Sequence, residues 1–107
     1  MKLSEFAEWE LGVFGYGYGT GEAPVISALK AFMESFSTGT YDYRALEALL
    51  GASTTWLLIN ALCHADIIEY GSSPRFGWLT DKGVALRKVV TEHTVDELAA
   101  STRDLWL

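Results

Sequence analysis

Residues 41–90 read YDYRALEALLGASTTWLLINALCHADIIEYGSSPRFGWLTDKGVALRKVV, and the order of local signals along them decides the fold. Asp42 can cap a helix carrying Leu46, Leu49 and Leu50, since its carboxylate satisfies free amides of the first turn, and Gly51 ends that helix. Ser53 and Thr54 offer caps for a longer helix that extends to about Ala65. Asp66 follows, one of the few residue types that tolerate the left-handed backbone a helix end often needs. Ile67 to Tyr70 read as a strand and Phe76 to Leu79 as its antiparallel partner, with Gly71, Ser72, Ser73 and Pro74 as the tip and Arg75 beside it. Thr80 caps a further helix whose Leu86, Val89 and Val90 face inward. The expected class is mainly α with a small β-hairpin.

Upstream, Ser4 can cap a helix bearing Phe6 and Trp9, and the glycines at 12, 15, 17, 19 and 21 predict that it stops early, because each glycine costs a helix about 1 kcal/mol relative to alanine. In the glycine and aromatic segment 11–21, an extended backbone would set Phe14, Tyr16 and Tyr18 on one face. Thr20 caps a helix starting near Glu22, with Pro24 in its first turn. Val25, Ile26, Leu29, Phe32, Met33 and Phe36 give it one apolar face through Ser37. Ser37, Thr38, Gly39 and Thr40 read as a turn. A last helix over about 94–106 carries Asp96 and Glu97 in its first turn, with Leu98, Leu105 and Trp106 available for packing.

The chain has 107 residues, half of them hydrophobic and 21% charged, which fits a single domain over 1–107 and excludes a disordered tail. No apolar run approaches the ~18 to 20 residues of a membrane span, and MKLSEFAEWE carries acids where a secretion signal needs an apolar core. A single cysteine, Cys63, precludes an internal disulfide, so a cytoplasmic location is expected. Net charge is −6. Residues 1–40 hold five acids and two bases, residues 41–90 five of each, and residues 91–107 four acids and one base. The flanks are acidic and the centre is neutral, so any basic patch for phosphate contact is small.

Three pieces of the central stretch carry a resemblance to the winged helix-turn-helix superfamily. ALEALLGAS resembles its second helix and turn, ALCHADIIEY the end of its recognition helix running into the first wing strand, and FGWLTDKGVAL the second wing strand leading into the next helix. The resemblance covers about half the chain. It implies a winged-helix (α+β) fold and a role in DNA-linked regulation through DNA or, as in some members, through protein contacts or dimerisation. Two departures accompany it. DNA readers place arginine, lysine or several polar groups on the outer face of the third helix, whereas this chain offers Thr54, Trp56, Leu57, Asn60 and His64 there. The spacing from Gly51 to Asp66 also looks short.

Candidate recognition residues are therefore Thr54, Thr55, Trp56, Leu57, Asn60, His64 and Arg75, with Arg44 and Lys82 as secondary basic contacts and Tyr16 and Tyr18 as an interface loop. If Thr55, Ile59, Leu62 and Ile67 pack inward, Trp56 and Leu57 point outward, and large exposed apolar groups mark protein interfaces. Trp78 and Trp106 are expected in the core. GYGYGTGEAP lacks the lysine of a phosphate-binding loop and reads better as a turn or irregular strand. Cys63, His64 and His93 show no metal-ligand spacing and no nucleophilic constellation is recognisable, so neither a cofactor, a metal nor an enzyme is expected. The leading expectation is a small non-enzymatic winged-helix regulator, homodimeric, that binds DNA or protein without a membrane or small-molecule substrate. The alternative is an acidic protein-binding inhibitor from a virus or mobile element that blocks a nucleic-acid-handling complex such as a CRISPR effector.

Overall fold

The computed structural model describes residues 1–14, 23–36 and 39–106, with only the backbone of Ala23 and Trp106. The elements run α1 (Leu3–Phe14), α2 (Ala23–Glu34), α3 (Tyr43–Leu50), α4 (Ala52–His64), β1 (Ile68–Tyr70), β2 (Gly77–Leu79), α5 (Asp81–Glu92) and α6 (Val95–Trp106). The chain is mainly helical with a small antiparallel hairpin, which pairs Ile68 with Leu79, Glu69 with Trp78 and Tyr70 with Gly77. A single antiparallel bridge from Thr40 to Trp78 ties the approach to α3 onto β2. The core is a continuous apolar cluster drawn from all the helices and from the start of the hairpin. Phe6, Ile26, Phe32, Leu46, Ile59, Leu62, Ile67, Leu86 and Leu98 lie at its centre.

The ends of α1 differ from expectation. It begins at Leu3, before Ser4, and the Lys2 amide donates to the Glu5 carboxylate at 3.1 Å. It also runs through Gly12 to Phe14. One glycine costs about 1 kcal/mol, and burying the Phe6 and Phe14 rings in the core returns more, at about 2 kcal/mol per large apolar side chain. Phe14 is thus a buried helical residue rather than part of an extended aromatic strip, and Tyr16, Tyr18 and Thr20 lie outside the described residues. Helix α2 stops at Glu34, short of Ser37, which with Thr38 is also outside the described residues. The Arg87 Nε donates to the Met33 carbonyl at that end, 2.9 Å away.

The centre follows the sequence closely. Asp42 caps α3 by accepting from the Ala45 amide at 3.0 Å, and Thr80 caps α5 by accepting from the Gly83 amide at 3.0 Å. Thr94 and Glu97 cap α6 reciprocally, each accepting from the other's amide. Helix α4 is the exception. Gly51 alone separates it from α3, at φ 83°, so Ser53 and Thr54 fall inside the first turn and cap nothing. Asp66 takes the left-handed conformation at φ 61°. Two core expectations change: Trp78 is 43% exposed, because its pairing with Glu69 turns it to the outer face of the hairpin, and Leu105 is exposed on α6. The Trp106 side chain is outside the described residues.

Helix α5 approaches the start of the hairpin backbone to backbone at Gly83. A Cβ there would fall on the carbonyl oxygen of Ile67, well inside van der Waals contact, whereas a Cβ at Gly71 would meet only the far edge of the Trp78 ring at 3.9 Å. Gly83→Ala is expected to destabilise the chain by about 3 kcal/mol, the scale of overpacking a tight backbone contact. Gly71→Ala should leave thermal unfolding nearly unchanged. Comparing the two melts tests whether this approach limits the fold.

Candidate recognition surface

Helices α3 and α4 pack as a tight pair around Gly51, and the hairpin tip returns beside the start of α3. Along α4, the one-turn spacing of Thr54, Leu57, Asn60 and His64 places these residues on one stripe, and all four are exposed. Leu57 is 50% exposed, and Leu49 on α3 is 69% exposed. Thr55 is not part of that surface. It is fully buried, and its hydroxyl donates to the Gly51 carbonyl at 2.8 Å, so it closes the first turn of α4. Its inward direction follows from Ile59 and Leu62, which share its face and are buried.

Trp56 is half-buried on the flank of α4, its ring 5.4 Å from that of Tyr43 and inclined at 58°. The Arg75 guanidinium lies over the Tyr43 ring, 5.1 Å from its centroid. Arg75, Tyr43 and Trp56 thereby join the hairpin tip, α3 and α4 into one shelf, with a cation–π contribution of about 0.5–1 kcal/mol at an exposed site. The Tyr43 hydroxyl is held above its ordinary range by desolvation and then by Glu47, with Arg75 opposing. Tyr43 is the member that sequence reading missed. Arg75 and Tyr43 are far apart in the chain, and their meeting depends on how the hairpin folds back. Phe76, expected in the strand, sits at the tip and is 68% exposed.

The hairpin tip is held down by Tyr41. Its ring is buried against Phe32 and Phe36, with centroids 4.9 and 5.6 Å away, and its hydroxyl donates to the Pro74 carbonyl. Burial, then Tyr70 and Cys63, push this hydroxyl up to about 12.

The remaining basic candidates divide by role. The Lys82 Nζ donates to the Ala65 carbonyl at 3.2 Å, at the C-terminal end of α4. Arg87 serves α2 in the same way, and Lys30 serves α5 by donating to Val90 and His93 at 3.0 and 2.9 Å. Cations at helix C-termini satisfy carbonyls without partners and oppose the negative end of the helix dipole. Arg44 and Arg75 are both exposed and make no ion pair among the described residues.

A concavity of about 430 Å³ lies between α1, α2, α3 and α4, lined by Phe14, Val25, Ala28, Leu49, Leu57 and Leu58. Among the described residues, no group of three or more His, Cys, Asp and Glu side chains could hold a metal ion. None of their helices is long and apolar enough to cross a membrane. No protein-family model, curated protein or solved structure matches the chain.

The Tyr41 geometry has a pH signature. With the folded-state hydroxyl at about 12 and the ordinary value at 10.0, the stabilising contribution is complete below pH 10. It is lost as pH rises towards 12, because the unfolded chain releases a proton that the folded chain keeps. Urea unfolding of wild type should therefore weaken across that window, and Tyr41→Phe, measured in parallel, should show a shallower decline.

Proposed function

We propose that this chain is a small non-enzymatic regulator built on a winged helix-turn-helix, which contacts a protein partner through the face formed by α3, α4 and the hairpin tip. Support for the fold comes from the single-residue turn between α3 and α4, the hairpin that follows α4, and the Thr40 bridge that docks the hairpin beside the approach to α3. The observation that carries the function is the outer stripe of α4. The stripe of Thr54, Leu57, Asn60 and His64 contains no lysine or arginine, and its exposed Leu57 shares a concavity with exposed Leu49 of α3. Direct reading of base edges rests on bidentate arginine, asparagine or glutamine contacts, supported by many phosphate contacts. Here Asn60 stands alone on the stripe, and three of the five bases in residues 41–90 are Lys82, Arg87 and Lys88 on α5, two of them bonded to carbonyls. An exposed leucine pair beside a half-buried tryptophan matches the apolar centre and polar rim of a protein interface.

A second reading, the acidic inhibitor of a nucleic-acid-handling complex, is favoured by one packing fact. Helix α1 packs chiefly on α6, so the two acidic flanks of the sequence come together, with Glu5, Glu8, Asp96 and Glu97 all exposed. Such a surface would compete with DNA for a basic channel. In that case binding is lost on neutralising these four carboxylates and survives changes to Leu57.

Fluorescence anisotropy with duplexes from a genomic selection tests the exclusion of DNA. With only Arg44 and Arg75 available on this face, any duplex binding should lack sequence preference, and log K against log salt should fall with a slope no steeper than about −2. A selected operator bound with a steep slope would overturn the protein-binding reading. A photo-crosslinking side chain at position 57 should meanwhile yield a discrete protein adduct in host extract, and one at Lys88 should not.

A further inference from the structure

The notch between α3 and the hairpin tip, about 400 Å³, brings Arg44 and Arg75 together with Tyr43 and Phe76. Asp42 and Glu47 line it as well, so its formal charge is neutral, two bases against two acids. Neither acid pairs with either arginine: Asp42 caps α3, and Glu47 lies beside the Tyr43 hydroxyl. Arg75 rests its guanidinium over the Tyr43 ring, which limits its rotation and leaves its N–H edge free of any protein acceptor among the described residues. A planar, restrained guanidinium with an unoccupied edge is the donor array that matches a carboxylate in two parallel hydrogen bonds.

We propose that this notch is a carboxylate-binding pocket that takes an acidic side chain of a protein partner, with the apolar residue next to it in that partner resting on Phe76. This deepens the reading of the α3, α4 and hairpin-tip face as a protein-binding surface and rests on it. Two observations favour an acidic peptide over a nucleic acid strand. Arg75 and Trp56 already occupy the surroundings of the Tyr43 ring, so no base can stack there as it would on an open aromatic platform. Asp42 and Glu47 cancel the formal charge of the two arginines, so the notch has no net attraction for the repeated charge of a phosphate backbone, whereas a single carboxylate can still bond to the free edge of Arg75. Beside the charge, the 68% exposed Phe76 ring offers the apolar surface on which the partner residue next to the acid would rest.

Selection from a phage-displayed library of random dodecapeptides on the immobilised full chain tests this. Enriched peptides are then measured by anisotropy against wild type, Arg75→Gln, Arg75→Lys, the Arg44→Gln and Arg75→Gln double variant, and Leu57→Asp. Both arginines are exposed, so the variants should fold, and their melting curves check it. Enriched sequences should place Asp or Glu next to an aromatic or aliphatic residue. Arg75→Gln should weaken them at least about tenfold, and Arg75→Lys should weaken them too, because an ammonium offers no planar pair of donors. Changing the peptide acid to its amide should cost as much in wild type and nothing further in Arg75→Gln. Peptides without an acid that lose binding in Leu57→Asp would overturn the pocket and leave the protein-binding face intact. Peptides indifferent to both Arg75 and Leu57 changes, or an empty selection, would overturn both. Competition by inorganic phosphate or a thymidine oligonucleotide at the same strength as a peptide carboxylate would overturn the pocket alone.

Discussion

The carbonyls of Ala65, Asp66 and Ile67 face the start of α5, and the way they are satisfied fixes the position of everything on the recognition side. The Thr80 hydroxyl donates to Asp66 at 2.6 Å, its amide donates to Ile67 at 3.0 Å, and Lys82 reaches Ala65. Gly83 makes room for this by lacking a Cβ where Ile67 passes. On the helix side, the Ile67 amide returns to the Leu62 carbonyl at 2.9 Å, which closes α4 around the left-handed Asp66. A helix end, both feet of the hairpin and a helix start thus share one set of backbone groups. Leaving the groups of buried Ile67 unpaired would cost about 1–3 kcal/mol each. The hairpin cannot swing without breaking several bonds at once, and Tyr41 adds a second attachment near its tip.

The same demand shapes the electrostatics. Lys30, Lys82 and Arg87 each sit at a helix C-terminus, so three of the eight basic residues in a chain of net charge −6 complete helix ends. Charges already bonded to carbonyls are less free to contact a phosphate. The two arginines left on the recognition side, Arg44 and Arg75, meet in one notch with an equal number of acids. A fold that places an α-helix and a hairpin tip side by side therefore carries, in this chain, a neutral surface of aromatic and apolar side chains, and the proposed protein contact rests on that.

Sequence reading reached the elements of residues 41–90 because each is marked by local chemistry: Asp42 and Thr80 as caps, Gly51 and Asp66 as the two positive φ positions, and period-three apolar spacing in α4 and α5. It also placed Thr55, Ile59, Leu62 and Ile67 inward. It failed where tertiary packing outweighs local preference. Gly12 remains helical because Phe14 has a core to enter. Trp78, apolar by composition, is held on the outer face by strand alternation and by its indole N–H, which donates to Glu69 at 3.2 Å. Thr55 illustrates a conflict within the sequence itself, since a polar residue type suggested recognition while its helical phase demanded burial, and phase prevailed. The Arg75, Tyr43 and Trp56 shelf was not legible because three chain segments far apart in sequence build it.

Native-state hydrogen exchange most directly tests whether the junction makes α4, the hairpin and α5 one rigid unit. The Thr80 amide donates across it to Ile67, the Ile67 amide closes α4 on Leu62, and the Gly83 amide closes the cap of α5 on Thr80. They should exchange only through global unfolding, with the same opening free energy as the amides of Leu29 and Leu86 in the core. Exchange of Ile67 and Thr80 through a separate, lower-energy opening, with the core amides still protected, would contradict it and make the hairpin an independently mobile arm.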